Sequence, residues 1–268
     1  NIYQLDQDDF VFRIYNAEHG KKNIRFLIPH AVYIAEQLPA SPSQPSSLCM
    51  QLRKHLSGGK VLAIEKLEGE RIIKITIGKK DTYILYVELF GKGNLILTAN
   101  DVIVTATFYH EWKDRAIKRK GTYVPPPPQT REPKQGEPLA KWLATSKGLG
   151  GTYAKEVCAR SNLDEKIPFD QLSKDQQEQL DQALEQIYNA PTDARVIDGS
   201  AYPFAMELFD QEQVPKQTFS AALDEVFAVK KKDQRVIANE KQVNKIQSIL
   251  DQQQEQDKAL QQQIEENT

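Results

Sequence analysis

The residues of this sequence best suited to binding chemistry are cations grouped around one predicted helix. Arg53, Lys54 and His55 are consecutive, and Glu70-Arg71 follow one predicted strand later. Guanidinium and ammonium groups bind phosphate, so these side chains favour a polyanionic ligand. The alternative is an ordinary solvated helix face, whose charges serve no ligand.

A second candidate for phosphate chemistry is the glycine-rich string at residues 148–151. Its glycines, followed by Ala154 and Val157, match the helix-hairpin-helix pattern. In that motif the glycines let backbone N–H groups and a helix N-terminus approach phosphate. Glycine-rich helix turns also occur without any ligand. We therefore predict a phosphate- or RNA-binding hairpin at Gly148, Gly150 and Gly151, with a purely structural turn as the alternative.

Side-chain combinations that make or break covalent bonds are missing from the sequence. The four histidines are scattered and have no metal-ligand spacing with the two cysteines. No nucleophile elbow of the Gly-x-Ser-x-Gly type and no His-Glu-x-x-His string occurs. We predict a binding module and not an enzyme, with no catalytic residue, no metal, no cofactor and no small-molecule substrate.

Charge is unevenly distributed along the 268 residues, whose formal net charge is −2. Residues 1–125 carry 18 Lys and Arg against 13 Asp and Glu, whereas the remainder carries 17 against 24. The basic first half favours a polyanionic partner. No apolar run approaches the length of a membrane span and no signal peptide is evident, so we predict a cytoplasmic protein with no membrane partner. Cys49 and Cys158 are predicted to be buried free thiols, which fits a reducing compartment; a single disulfide between them is the alternative.

Short alternating segments dominate the first half and must position the cations. Strands are predicted near residues 1–5, 10–16, 23–29, 61–67, 72–77, 82–90, 95–98 and 102–108. One helix is predicted between them, beginning at Ser46 or Ser47 and ending at Gly58-Gly59, with Leu48, Cys49, Leu52 and Leu56 facing the core. Many short strands at close spacing favour an antiparallel sandwich or barrel.

Helical patterns dominate after the proline run at residues 125–128. Helices are predicted at 138–147, 151–161 and 174–189, then a hairpin around Asp198-Gly199-Ser200. From residue 220 onward, apolar residues such as Val236, Val243 and Leu250 recur at heptad spacing, which predicts the root of a coiled coil; the alternative is a single solvated helix. The chain begins without Met and ends inside this pattern, so we expect a fragment of a longer protein.

The predicted fold class is α+β, an antiparallel β-sandwich-like domain followed by a helical domain and a coiled-coil arm. The predicted boundaries are a β-rich domain at 1–124, a Pro-rich linker at 125–136, a helix-hairpin-helix domain at 137–190, a β-hairpin connector at 191–218 and a helix entering the coiled coil at 219–268.

Five blocks of this sequence resemble the NFACT family, the NEMF and RqcH ribosome-quality-control factors. In chain order they are Leu52–Leu56 with Gly58-Gly59, Glu70–Ile72, Val87–Leu97, Tyr123–Pro126 and Gly148–Cys158. The Gly-Lys-Gly-Asn form at 91–94 and the segment Trp112–Arg115 are similar to archaeal members. With the flanking elements, the resemblance covers essentially the whole chain.

The resemblance implies a fold and a role. The β-rich domain should resemble the N-terminal domain of formamidopyrimidine-DNA glycosylases, but this chain lacks the N-terminal proline nucleophile and the four-cysteine zinc finger of those enzymes. Family members bind a large ribosomal subunit obstructed by peptidyl-tRNA. They recruit charged tRNA, alanyl-tRNA in prokaryotic members, for template-free extension of the stalled chain, while the ribosome performs peptidyl transfer. The implied partners are therefore tRNA and the large subunit.

The resemblance also assigns residues. The family's Asp-Arg pair, implicated in tRNA engagement, falls on Glu70-Arg71, where Glu lengthens the arm by one methylene. Arg71 would meet a phosphate or base edge, and Glu70 would orient it or accept a base N–H. Arg53, Lys54 and His55 are expected nearby as supporting cations. The alternative is an ion pair at the strand start that serves folding only.

Two other functions stay open. Some bacterial relatives have been described as surface adhesins for matrix proteins, which would require export. The glycosylase-like fold suggests a DNA-repair type of nucleic-acid binding by analogy alone.

Overall fold

We describe residues 1–127 and 131–228 of a computed structural model. The chain divides into two compact units, Asn1–Asp224 and Glu225–Thr268, and the account below concerns the first. The predicted heptad positions from Val236 onward lie outside the described residues, as do positions 128–130 of the predicted linker.

The chain begins with a four-stranded antiparallel sheet in sequence order. Its strands are β1 (Ile2–Asp6), β2 (Asp9–Asn16), β3 (Gly20–Leu27) and β4 (Ala31–Ala35). The first three were predicted from their alternating pattern, whereas β4 was not. The sequence of β4, Ala-Val-Tyr-Ile-Ala, is apolar throughout, so it shows no alternation that would separate it from the loop that follows.

The predicted helix follows as α1 (Ser47–Leu56). The hydroxyl of Ser46 accepts the backbone N–H of Cys49 at 3.0 Å, and Gly58 has a φ of +76°, so both predicted end signals are confirmed. Cys49, Leu52 and Leu56 are buried, as predicted.

A five-stranded antiparallel sheet comes next, also in sequence order. Its strands are β5 (Lys60–Lys66), β6 (Ile72–Gly78), β7 (Thr82–Glu88), β8 (Asn94–Ala99) and β9 (Val102–Ala106), followed by the short pair β10 (His110–Glu111) and β11 (Ala116–Ile117). Both sheets and α1 bury side chains in one apolar cluster that includes Phe10, Phe26, Leu52, Leu85 and Leu95. The first half is therefore two antiparallel sheets closed over a shared core.

The second half is helical and has its own apolar cluster. Its elements are α2 (Leu139–Ser146), α3 (Gly150–Arg160), a single 3-10 turn (Phe169–Gln171), α4 (Lys174–Tyr188), β12 (Arg195–Ile197), β13 (Ser200–Tyr202) and β14 (Val214–Pro215). The predicted helices and the hairpin turn are present. The third strand, β14, pairs with β12 and was not predicted. The apolar clusters of the two halves share no buried residue. The domain boundaries inferred from the sequence stay predictions.

Candidate nucleic-acid interface

A surface cleft of about 760 Å³ lies between the β5–β6 turn and the α2–α3 turn. We call it the inter-turn cleft. Its lining residues come from the two turns and from the end of α4, and they are Lys66, Glu68, Gly69, Glu70, Arg71, Thr145, Ser146, Lys147, Gly148, Leu149 and Tyr188. The turns are in close contact, because a Cβ built on Gly148 would lie 3.8 Å from the carbonyl oxygen of Gly69. Glu70-Arg71 and Gly148 of the predicted glycine hairpin thus share one site, whereas Gly150 and Gly151 are not among its lining residues.

The β5–β6 turn holds Glu70 and Arg71 in a fixed backbone. The N–H of Leu67 donates to the carbonyl of Ile72 at 3.0 Å, and the N–H of Glu70 donates to the carbonyl of Leu67 at 3.2 Å. Gly69 has a φ of +72°, a left-handed conformation that a side chain makes costly. The carbonyl of Arg71 accepts the N–H of Leu89 on the neighbouring strand segment at 2.8 Å, which ties the turn to the five-stranded sheet.

The carboxylate of Glu70 is in an unusual state. It is half-buried, and its Oε1 atom is buried without a hydrogen-bond partner among the described residues. Burial raises the pKa of Glu70, the charges of Arg115 and Arg71 lower it, and that of Glu88 raises it, with a net upward shift. Buried polar atoms without partners are rare and often mark a place where another molecule supplies the bond. Glu70 therefore has acceptor capacity left for a ligand N–H or O–H.

Three cations surround the same cleft. Arg71 and Lys66 are exposed and come from the β5–β6 hairpin, and Lys147 comes from the α2–α3 turn. The guanidinium of Arg71 makes no hydrogen bond to the described part of the chain, whereas Nζ of Lys147 lies 5.3 Å above the ring of Trp142. Arg71 and Lys66 are consequently available to an incoming phosphate, and of these two only the Arg71 guanidinium can bind it through two parallel hydrogen bonds.

The α2–α3 turn supplies backbone groups. Gly148 and Gly150 have φ values of +67° and +69°, so the turn depends on glycine at both positions. Gly151 has neither a positive φ nor a neighbour within 4 Å of a built Cβ, so its backbone does not require glycine. No side chain caps the N-terminus of α3, which leaves its first-turn N–H groups available to an anion. Ala154 and Val157, which complete the match to the helix-hairpin-helix pattern, are fully buried.

Two further residues of the cleft were missed by the sequence analysis. Ser146, the last residue of α2, is 5% exposed, and its hydroxyl has no hydrogen-bond partner among the described residues. Tyr188 donates its hydroxyl to the carbonyl of Lys147 at 3.1 Å and so fixes the turn to α4. No local pattern marks either residue, because their relevance comes only from packing between distant segments.

The expectation that Arg53, Lys54 and His55 lie near Arg71 is wrong. The ammonium of Lys79, in the β6–β7 turn, donates to the carbonyl of Lys54 at 3.4 Å, which places the end of α1 at the far end of β6. Because β6 has seven residues, it separates the two groups by about 20 Å.

Arg53 is also occupied by internal contacts. Its Nε donates to the carbonyl of Ile2 at 2.7 Å, and its guanidinium lies 5.6 Å from the ring of Tyr3. His55 contacts the hydroxyl of Tyr83 at 3.3 Å, and burial, followed by Lys54 and Lys79, lowers its pKa. The assignment of these three residues to RNA binding stays a prediction, and it concerns a surface separate from the inter-turn cleft.

The described residues hold neither a metal cluster nor a membrane-spanning helix. No group of three or more His, Cys, Asp or Glu side chains there is placed to hold a metal ion. Within the same residues, every helix is too short or too polar to cross a bilayer. Cys49 and Cys158 are buried free thiols, as predicted, and burial raises the pKa of Cys158 to about 11.

Solved structures share this fold. The N-terminal part of the fibronectin/fibrinogen-binding protein from Streptococcus suis is 19% identical and superimposes with a TM-score of 0.63, over 85% of this chain and 90% of that one. The fibrinogen-binding protein from Staphylococcus aureus is 18% identical with a TM-score of 0.61, over 84% and 89%. At these identities the likeness concerns the fold alone.

Curated sequence relatives carry ribosome-quality-control names. The archaeal Rqc2 homolog aRqcH from Methanocaldococcus jannaschii is 26% identical over 297 residues, which is 97% of this chain and 44% of that protein. The Rqc2 homolog RqcH from Bacillus subtilis is 35% identical over 116 residues, 38% of this chain and 20% of its own length. The human ribosome quality control complex subunit NEMF is 25% identical over 39% of this chain. The chain therefore spans less than half the length of these relatives.

The family model described as the NFACT N-terminal and middle domains matches residues 1–268. This match covers the whole chain, and it agrees with the five sequence blocks and with the named relatives. The chain belongs to the NFACT family.

Proposed function

We propose that this chain is the tRNA- and large-subunit-binding part of a ribosome-associated quality-control factor. The whole protein would recruit charged tRNA, alanyl-tRNA if it acts as prokaryotic members do, for template-free extension of stalled chains in the cytoplasm. Peptidyl transfer would be the work of the ribosome, so the chain itself would not be an enzyme. The observation that carries the proposal is the meeting of Glu70-Arg71 with the Gly148 turn in one cleft.

The chemistry of the cleft suits a folded RNA with an exposed loop. Arg71 offers a free guanidinium for a phosphate, and the uncapped start of α3 offers backbone N–H groups for a second anionic group. Glu70 and Ser146 add polar atoms that lack partners inside the protein. Phosphate contacts fix the position of an RNA, and polar contacts to base edges add selectivity. In this arrangement Arg71 binds the backbone and Glu70 accepts an N–H from a base.

The finer architecture inferred from the sequence is part of the same proposal. Residues 1–124 would be the glycosylase-like N-terminal domain, 137–190 the helix-hairpin-helix domain and 219–268 the entry to the coiled-coil arm. Separate apolar clusters in the two halves support the first division. The left-handed conformations of Gly148 and Gly150 support the hairpin assignment.

The test is tRNA binding by the 268-residue chain as a function of salt, followed by fluorescence anisotropy of labelled tRNA. We expect a linear fall of log affinity with log salt. Arg71→Gln should weaken binding and reduce the slope by about one, because one phosphate contact is lost. Lys22→Gln is the matched control, since it removes one exposed positive charge from the other sheet.

Two results would overturn the proposal. One is the absence of salt-dependent tRNA binding at low ionic strength. The other is the same change of slope in the Arg71→Gln and Lys22→Gln variants, which would mean that the cleft contributes only general charge. The RNA that copurifies with the full-length protein, with and without Arg71, would then identify the true ligand.

A further inference from the structure

A second cavity, of about 440 Å³, lies on the β-rich half beside the β7–β8 turn. We call it the aromatic pocket. Its walls include Lys92, Phe108, His110, Trp112, Arg115 and Pro126. The inter-turn cleft uses none of these side chains as lining. Trp112 is 42% exposed, so a large aromatic surface is presented to solvent next to a cavity.

The aromatic rings of the pocket contact one another, and two cations lie against their faces. Phe108 and His110 are nearly parallel, with ring centroids 5.5 Å apart, and Trp112 meets the His110 ring edge-on at 4.7 Å. The guanidinium carbon of Arg115 lies 4.8 Å from the Trp112 centroid, and Nζ of Lys92 lies 5.3 Å from that of Phe108. Aromatic faces interleaved with cations are typical of surfaces that stack nucleobases.

A buried amide holds one wall in place. Asn94 is 1% exposed, and its side chain donates to the carbonyl of Phe108 at 2.8 Å and accepts the N–H of Phe108 at 3.1 Å. The same Oδ1 accepts the hydroxyl of Thr107 at 2.7 Å. Two bonds to the backbone of one residue fix the position of that residue. Asn94 is therefore a positioning residue for the Phe108 ring.

The buried carboxylate of Glu88 fixes the position of the Arg115 guanidinium. Both oxygens of Glu88 accept the same Nη2 of Arg115, at 2.7 and 2.8 Å, and Oε1 also accepts the hydroxyl of Tyr123 at 3.0 Å. Glu88 is 3% exposed and Arg115 is 9% exposed. This network keeps the guanidinium beside Trp112 and prevents it from turning into solvent.

The charge balance of the pocket selects an uncharged group. Lys92 and Arg115 are offset by Glu88 and Asp114, so the four formal charges of the lining cancel. A phosphate would gain little there, whereas a neutral planar ring would gain stacking on one aromatic face and an edge contact with the steeply inclined neighbouring ring. The cavity volume is in the range of sites that hold one small organic group.

The pocket lies near the inter-turn cleft. Leu89, whose N–H donates to the carbonyl of Arg71, lies between Glu88 and Phe90, and both of these line the pocket. The charges of Arg115 and Glu88 also act on the Glu70 carboxylate. An RNA held by a phosphate at Arg71 would therefore lie near the pocket.

We propose that the aromatic pocket stacks one unpaired base of the RNA bound at the inter-turn cleft, with Trp112 and Phe108 as the base-contacting side chains. The proposal rests on the proposed RNA-binding function. A proline-rich peptide is the rival occupant, because aromatic grooves also bind such peptides. The chain's own Pro126 and Pro127 already line one part of the pocket, and Glu88 and Phe90, which flank the Leu89 bonded to Arg71, line another part near the cleft, which favours the base.

The test compares a single-stranded oligoadenylate decamer with an abasic decamer of the same charge, both bound to the 268-residue chain. Trp112→Ala should weaken decamer binding at least fivefold, as expected for the loss of one base stack. It should leave abasic binding and the salt slope unchanged, because no phosphate contact is lost. Trp112→Phe should restore most of the affinity, and Tyr15→Ala, at a 73% exposed ring on the other sheet, should have no effect.

Tryptophan fluorescence gives a second measurement with AMP as the probe. The sequence has two tryptophans, and AMP should quench the wild type but not Trp112→Phe, which retains only Trp142. Equal losses for the decamer and the abasic strand in Trp112→Ala would overturn the stacking proposal. So would weaker binding of an oligoproline peptide together with unchanged RNA binding. If tRNA fails to bind at all but AMP still quenches Trp112, the proposed function fails and the base pocket stands.

Discussion

The β7–β8 turn provides a stability test with an internal control. Gly91 and Gly93 belong to the same turn and both have left-handed backbones, with φ values of +56° and +70°. A Cβ built on Gly91 meets nothing within 4 Å. A Cβ built on Gly93 would overlap Cγ2 of Ile28, and it would lie 2.8 Å from Cβ and 3.0 Å from Cα of Pro29.

The two alanine substitutions should therefore differ. Gly91→Ala incurs only the backbone strain of a left-handed residue, about 1–2 kcal/mol. Gly93→Ala incurs a similar strain and must also displace Ile28, which is 3% exposed in the core shared by the two sheets, and the Pro29 backbone. Overpacking of this kind costs about 1–3 kcal/mol more. The total expected loss for Gly93→Ala is about 2–5 kcal/mol.

The measurement is urea unfolding of both variants and the wild type, followed by circular dichroism. Midpoints should fall in the order wild type, Gly91→Ala, Gly93→Ala, with similar slopes. Equal losses of unfolding free energy in the two variants would contradict the prediction. They would mean that close packing against Ile28 and Pro29 adds no cost to a side chain at position 93.

Two further predictions concern buried charges. Asp9 and Arg25 are each 2% exposed and are joined by two hydrogen bonds of 2.9 Å. Asp9→Asn should lower the free energy of unfolding by about 3–5 kcal/mol, because it leaves the buried guanidinium without a counter-ion. A change of less than 1 kcal/mol in urea unfolding would contradict this prediction. The pKa of Glu70 is raised in the folded chain, so its ionised form is destabilising, and Glu70→Gln should increase stability at pH 7. That gain should shrink as the pH falls and the carboxyl becomes protonated in both states, and a gain independent of pH would show that ionisation is not its cause.

Local patterns predicted most strands and helices of the fold, because an element that buries one face repeats its apolar residues with the period of a strand or a helix. The end signals of α1 at Ser46 and Gly58 and the hairpin turn at Asp198-Gly199 are of this kind. Strand β4 was missed because its sequence, Ala-Val-Tyr-Ile-Ala, is apolar throughout and shows no alternation with polar residues. Strands β10, β11 and β14 were missed because two residues are too few for a period to stand out.

The candidate site could be predicted only in part. Glu70-Arg71 and the glycine hairpin were both identified from local sequence patterns. No local pattern indicates that a β-hairpin turn and a helix turn almost eighty residues away form one cleft. The expectation that Arg53, Lys54 and His55 lie near Arg71 was wrong because it relied on distance along the sequence. They are close to Arg71 in sequence, but β5 and β6 form a hairpin whose length separates its two ends.

At position 70, where the family resemblance implies an aspartate, the chain has a glutamate. Its Oε1 is buried without a hydrogen-bond partner among the described residues, and both Arg115 and the adjacent Arg71 act on its carboxylate. The guanidinium of Arg71 makes no hydrogen bond to the described part of the chain, so it is available to a phosphate. Because Glu88 and Arg115 line the aromatic pocket and also act on the Glu70 carboxylate, a change in that buried ion pair should alter the pKa of Glu70 in the inter-turn cleft.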